Sequence, residues 1–164
     1  MLEEKNDASI VVTSLGDDLN AGGGVTLREA ILAAESDSSV DGSAAGSGAD
    51  TITFAPALYA NGPAKIDLTQ GPSFSFLIGR SELKITTDIS IVGPTGRNGL
   101  VVNSAASKRL FEVTPGGRLR LENLTLTGGK TIGPSGSGGG GGGAALGGAV
   151  FNRSEERRVG KECA

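Results

Sequence analysis

A β-solenoid, a chain coiled from many short strands, is the fold class this sequence predicts. Three observations point to it: apolar residues recur in i, i+2 pairs, turn formers separate the pairs after a few residues, and one stretch echoes another. The pairs are Ile10/Val12, Ile52/Phe54, Ile66/Leu68, Phe74/Phe76, Leu83/Ile85, Ile89/Ile91, Leu100/Val102, Phe111/Val113, Leu119/Leu121 and Leu124/Leu126. Period-two alternation marks a strand with one buried face, and the intervening Gly, Pro, Asn, Asp and Ser residues turn the chain. A sandwich strand shows two or three inward residues and a regular hairpin turn. These runs mostly show two, which favours short strands broken by corners. The echo aligns Leu83-Lys-Ile-Thr-Thr-Asp-Ile-Ser-Ile-Val-Gly93 with Leu119-Arg-Leu-Glu-Asn-Leu-Thr-Leu-Thr-Gly128 after one deletion. Each reads apolar-basic-apolar, a polar corner ending in Asp88 or Asn123, then apolar-polar-apolar and glycine.

One segment reads as a helix. Leu27, Ala30, Ile31 and Ala34 fall on one face at i, i+3, i+4 and i+7, so a helix is expected from Leu27 to about Glu35. Thr26-Leu-Arg-Glu29 has the form of a capping box, in which the Thr26 hydroxyl accepts from the Glu29 amide while the Glu29 carboxylate accepts from the Thr26 amide.

Composition removes whole classes of chemistry. The 164 residues contain no histidine and no tryptophan. Without histidine there is no Ser-His-Asp triad, no Cys-His dyad and no metal site that needs imidazole. The single Cys163 allows no internal disulfide and no CxxC motif. A net charge of −3 leaves no basic surface for a phosphate backbone, so no nucleic-acid partner is expected. No apolar run approaches the ~20 residues of a membrane span. The opening MLEEKNDASIVV is acidic where a signal peptide needs a positive start, so no export signal is expected in these residues.

Two stretches stand apart. Residues 128–148 hold 12 of the 28 glycines, six of them consecutive at Gly138 to Gly143, and read as a loop. Gly136 to Gly141 matches GxGxxG, but no helix follows and no ribose-binding acid lies downstream. Gly128-Gly-Lys-Thr131 is no phosphate loop, because Leu124 stands where its first glycine would fall. Residues 153–164 read RSEERRVGKECA, with seven charged residues in twelve, after a stretch from Gly128 to Asn152 whose only charge is Lys130. That tail reads as non-native.

The run Val25-Thr-Leu-Arg-Glu-Ala-Ile-Leu-Ala-Ala34, followed by Ala49-Asp-Thr-Ile-Thr-Phe54 and Asp88-Ile-Ser-Ile-Val-Gly-Pro94, carries a resemblance. It is similar to the N-terminal region of bacterial secreted right-handed parallel β-helix (pectin-lyase-like) proteins with a Cys-Ser-Leu-Arg-Glu-Ala signature. Phe111-Glu-Val, Leu119 to Gly129 and Gly147-Gly-Ala-Val-Phe-Asn152 look like its first rungs. Val25 and Thr26 stand where the signature has Cys and Ser, and Glu35 replaces the usual asparagine. The resemblance implies a mainly β fold, a right-handed parallel β-helix fragment with an N-terminal strand-helix-strand cap. Residues 1–8 would be a disordered extension, 9–54 the cap, 55–127 the first rungs and 128–148 the glycine-rich loop. Residues 149–152 would start the next rung, cut short before the tail at 153–164. A solenoid end exposes apolar side chains and unpaired backbone, so a cap is required. Thr26, Leu27, Arg28, Glu29, Ala30 and Ile31 are therefore read as a structural motif.

The expected function follows from the resemblance. It is a fragment of an exported or cell-surface protein with a scaffold, adhesion or carbohydrate-contacting role, a polysaccharide or cell-surface glycan as partner, and an extracellular or cell-surface location. No catalytic residue, cofactor or metal is expected in this stretch. The alternative is the N-terminal piece of a β-helix polysaccharide lyase or glycoside hydrolase whose active face lies in further rungs. Asp67, Glu82, Asp88, Glu112 and Glu122 each stand alone beside an apolar pair, unlike the clustered carboxylates those reactions use. Asp17-Asp18 reads as a turn. Arg28, a cation near a helix N-terminus, calls for a carboxylate from Asp17, Asp18 or Asp50. Asn123-Leu-Thr125 has the form of a glycosylation acceptor, though a turn role suits its polar corner better. Lys84, Arg118 and Arg120 alternate with apolar residues and form a solvated face. The open C-terminal edge of the rungs is expected to drive self-association.

Overall fold

The computed structural model describes residues 7–19, 22–70, 81–105, 108–132 and 147–153. The Phe74/Phe76 pair, the six-glycine run, residues 1–6 of the extension and the charged tail after Arg153 lie outside them.

The fold is mainly β and its sheets are parallel. The strands are β1 (Ser9–Val12), β2 (Ala49–Phe54), β3 (Ala64–Leu68), β4 (Ser81–Ile85), β5 (Asp88–Val92), β6 (Leu100–Ser104), β7 (Arg109–Val113), β8 (Arg118–Glu122), β9 (Leu124–Thr127) and β10 (Val150–Asn152). A helix α1 (Leu27–Ser36) lies between β1 and β2, and a 3-10 turn (Pro56–Tyr59) follows β2. The first sheet has the order β1-β2-β5-β8, the second β3-β6-β9 and the third β4-β7-β10. From β2 onward the chain enters the first, second and third sheets in that order, three times over.

Parallel register makes like residues stack. Ile10, Ile52, Ile91 and Leu121 form one column of the first sheet. Ile66, Val102 and Leu126 form one in the second, and Leu83, Phe111 and Val150 one in the third. Neighbours in such a column sit about 4.8 Å apart. Ile10, Ile52, Ile91, Ile66, Val102 and Phe111 have no exposed surface, and each such side chain contributes roughly 1.5–3 kcal/mol. The core thins toward the other end, where Leu121 and Leu126 are half-buried and Val150 is 36% exposed.

The internal echo is not a structural repeat. Leu83 lies in the third sheet and Leu119 in the first, where it pairs with Ile89. The two echoing stretches thus span different corners, β4 to β5 and β8 to β9. What they share is a corner between two short strands. The β8–β9 corner is the single residue Asn123, exposed and left-handed at φ 52°. Gly93 passes directly beside it: its amide donates to Glu122 O at 2.8 Å, and a Cβ there would lie 2.3 Å from Asn123 O. Only glycine fits that approach.

Helix α1 closes one end of the stack. Thr26 Oγ1 accepts from the Glu29 amide at 3.2 Å, and Glu29 Oε2 accepts from the Thr26 amide at 2.9 Å, which satisfies two otherwise orphaned donors. The helix ends at the left-handed Asp37, φ 48°. Leu27, Ala30, Ile31, Ala33 and Ala34 are buried, and the helix touches β1, β2 and β4. At the far end, the Arg153 amide donates to Val113 O at 2.8 Å, so the β10 ladder runs one residue into the charged stretch.

Candidate functional site

The most developed polar constellation lies under the cap. Asp17, between β1 and α1, and Arg28, in the first turn of α1, meet fork to fork: Nε to Oδ1 at 2.8 Å and Nη2 to Oδ2 at 3.1 Å. Asp17 Oδ2 also accepts from the Thr69 and Gln70 amides at 2.6 and 2.7 Å. Arg28 Nη1 donates to Glu82 O at 2.8 Å, and Nη2 lies 3.9 Å from Glu82 Oε2. Lys108 Nζ stands 3.2 Å from Glu82 Oε1. Two cations thus neutralise two carboxylates, and the Asp17 and Glu82 side chains are 2% and 0% exposed. Burial pushes the Glu82 carboxyl above its ordinary pKa, Lys108 and Arg28 oppose that rise, and Asp17 adds to it.

This arrangement answers a backbone problem. β3 and β4 are the terminal strands of the second and third sheets, and a terminal strand leaves N–H and C=O groups unpaired. Side chains of the cap take one such group within β4 and three more in the turns just after the two strands. Asp17 covers Thr69 and Gln70 just after β3, Arg28 covers Glu82 within β4, and Glu35 Oε1 accepts from the Thr86 amide just after β4 at 2.8 Å. Burial also raises the Glu35 carboxyl, against the opposing Thr86 hydrogen bond and Lys84 charge.

Among the three carboxylates weighed for Arg28, the partner is Asp17. Asp50 instead accepts from the Ser47 amide at 2.7 Å. The turn reading of Asp17 gives way, because the side chain is buried and ion-paired. Sequence reasoning missed Glu82 and Lys108, which are remote in the chain from the cap they lock.

A second constellation faces solvent on the second sheet. Asp67, Asn103 and Thr127 are in register on β3, β6 and β9. Asn103 Nδ2 donates to Asp67 Oδ1 at 2.6 Å, and Thr127 Oγ1 donates to Asn103 Oδ1 at 2.9 Å. Lys65 Nζ lies 2.8 Å from Asp67 Oδ1, and Lys65 with Asn103 holds the Asp67 carboxyl below its ordinary range. The row was not legible from the apolar pairs alone: Asn103 and Thr127 follow the second residue of their pairs, Val102 and Leu126, but Asp67 lies inside its pair, between Ile66 and Leu68.

The acids that stand alone in the sequence do not stand alone in the fold. Asp67 pairs with Lys65, Glu82 with Lys108 and Arg28, Asp88 with Arg118, Glu112 with Arg153, and Glu122 with Arg120. The Arg118 and Arg120 side chains are 68% and 73% exposed, and Lys84 is exposed too. Surface pairs of this kind contribute about 0–1 kcal/mol each. Among the described residues no group of three or more acids, cysteines or histidines is placed to hold a metal ion. No described helix is long and apolar enough to cross a membrane. Comparison with family models, curated proteins and solved structures returned no match.

Proposed function

We propose that the chain is part of an exported or cell-surface right-handed parallel β-helix protein whose role is scaffolding, adhesion or carbohydrate contact. The observation that carries this reading is the solvent-facing row of Asp67, Asn103 and Thr127, hydrogen-bonded across three parallel strands. Such a row offers a carboxylate, an amide and a hydroxyl at regular spacing on a rigid sheet, groups suited to the hydroxyls of an extended glycan. The rotation of the chain through three parallel sheets supports the β-helix part, as does the likeness of Val25 to Ala34 to the N-terminal signature. The stretch is assigned no catalytic residue, and its capping motif from Thr26 to Ile31 is a structural one.

A binding and localisation experiment tests the reading. The chain is expected to be retained by one member of a panel of immobilised polysaccharides, and Asp67→Ala/Asn103→Ala should abolish retention while leaving the melt cooperative. In the producing cell the protein should be accessible to protease added outside. Retention that survives the double substitution, or a protein protected inside the cell, would overturn it.

A further inference from the structure

The polar row on the second sheet has a direction. Thr127 Oγ1 donates its one hydrogen to Asn103 Oδ1, and Asn103 Nδ2 donates in turn to Asp67 Oδ1. The amide cannot face the other way, because its oxygen would then meet the Asp67 carboxylate. Gly128 crowds the same oxygen: a Cβ there would lie 2.6 Å from Asn103 Oδ1. Lys65 Nζ also addresses Asp67 Oδ1, at 2.8 Å.

These bonds fix what each residue has left for a ligand. Asp67 keeps Oδ2. Its carboxyl is held below the ordinary range by Lys65 and Asn103, so near neutral pH it is ionised and only accepts. Asn103 keeps the second hydrogen of Nδ2, and Thr127, its hydrogen spent, keeps lone pairs alone. In register on β3, β6 and β9, the row therefore reads acceptor, donor, acceptor in steps of about 4.8 Å. Val101, two residues before Asn103 on the same face, is half-buried and adds an apolar seat.

We propose that this row selects an uncharged, hydroxyl-rich polysaccharide and rejects one that carries carboxylates. The inference rests on the glycan reading above and narrows it. Sugar hydroxyls donate to Asp67 Oδ2 and Thr127 Oγ1, an oxygen between them accepts from Asn103 Nδ2, and C–H groups rest on Val101. A uronate carboxylate has only lone pairs to offer. Against Thr127 it sets acceptor on acceptor, and against Asp67 it adds like charge, which is how a site excludes a wrong partner. Lys65 gives such a polymer little, since Asp67 already neutralises its ammonium.

The test is affinity electrophoresis of the full chain through gels of uncharged glucan, galactan and mannan. Each polymer is run beside the same polymer with its primary hydroxyls oxidised to carboxylates. Wild type is expected to bind one uncharged polymer, and to bind its oxidised partner roughly tenfold or more weakly, the scale of one hydrogen bond to a charged group. Asp67→Asn removes the carboxylate and frees the Lys65 ammonium, so this ratio should collapse or invert. Asp88→Asn, on the first sheet, changes the net charge equally and should leave the ratio as it was. A ratio that Asp67→Asn leaves intact, or that Asp88→Asn shifts as far, overturns the proposal. Wild type binding the oxidised polymer as well as the uncharged one, with both lost in Asn103→Ala, overturns the selectivity and leaves the glycan reading standing. Retardation by none of the polymers overturns both. Should Asp67→Asn lose its cooperative melt, the wild-type ratio in about 1 M salt decides, where the Debye length is roughly 3 Å. Contact repulsion persists there and supports the proposal. A ratio that vanishes there reflects only the net charge of −3 and overturns it.

Discussion

Arg28 and Asp17, eleven residues apart, are joined by two parallel hydrogen bonds at 2.8 and 3.1 Å; Arg28 also holds backbone within β4, and Asp17 holds backbone just after β3. The pair therefore couples the cap to β3 and β4 at once. Removing one member leaves a buried charge without its partner, which typically costs about 3–5 kcal/mol. Arg28→Ala is expected to destabilise by that amount. Arg28→Lys should fall between, because a point charge cannot make the fork and the third bond to Glu82 O together. Urea midpoints of the two variants check this order.

Burial gives Glu82 a stability signature in pH. A carboxyl whose pKa is raised on folding contributes stability that is complete below its unfolded pKa and is lost as pH rises through the folded one. Glu82 and Glu35 are both raised, so both act in this direction. Glu82→Gln cannot titrate. The wild type should therefore lose stability relative to Glu82→Gln between about pH 4, near the ordinary carboxylate range, and neutrality. Chemical denaturation of both proteins across that window checks the sign, and a constant difference would refute it.

Thr26 does more than cap. Its hydroxyl accepts from the Glu29 amide and lies 3.0 Å from both Asp18 O and Glu29 Oε2, in a residue 1% exposed. Thr26→Ala should cost about 1–2 kcal/mol, toward the upper end of the range for a lost N-cap. Thr26→Ser keeps the hydroxyl and should recover most of it in the same thermal melt.

Gly93→Ala tests the stacking of corners. The added methyl would meet Asn123 O at 2.3 Å and Leu124 Cδ2 at 2.7 Å, so either the corner or β9 must shift. Overpacking of this kind costs about 1–3 kcal/mol. Amide exchange should accelerate at Leu124 to Thr127 before it does in β1 and β2. Uniform exchange would mean the corner yields without disturbing the strand.

Local structure here follows from residues close together in the chain. The strands form at Ile10/Val12, Ile89/Ile91 and Leu124/Leu126 because period two needs only neighbouring residues, and α1 forms because Thr26 and Glu29 lie within one helical turn. Tertiary structure alone decided which strands stack and which charges meet. Loops of unequal length separate the strands, so Leu119 falls beside Ile89 rather than beside its sequence echo Leu83. Arg28 could have met Asp17, Asp18 or Asp50, and that choice depends on where the second and third sheets end beneath the cap. Glu82 looked like an isolated charge because its partners, Lys108 and Arg28, lie far from it in the sequence. Short-range geometry is written in the order of residues; register between distant segments is set only when their apolar faces are buried together.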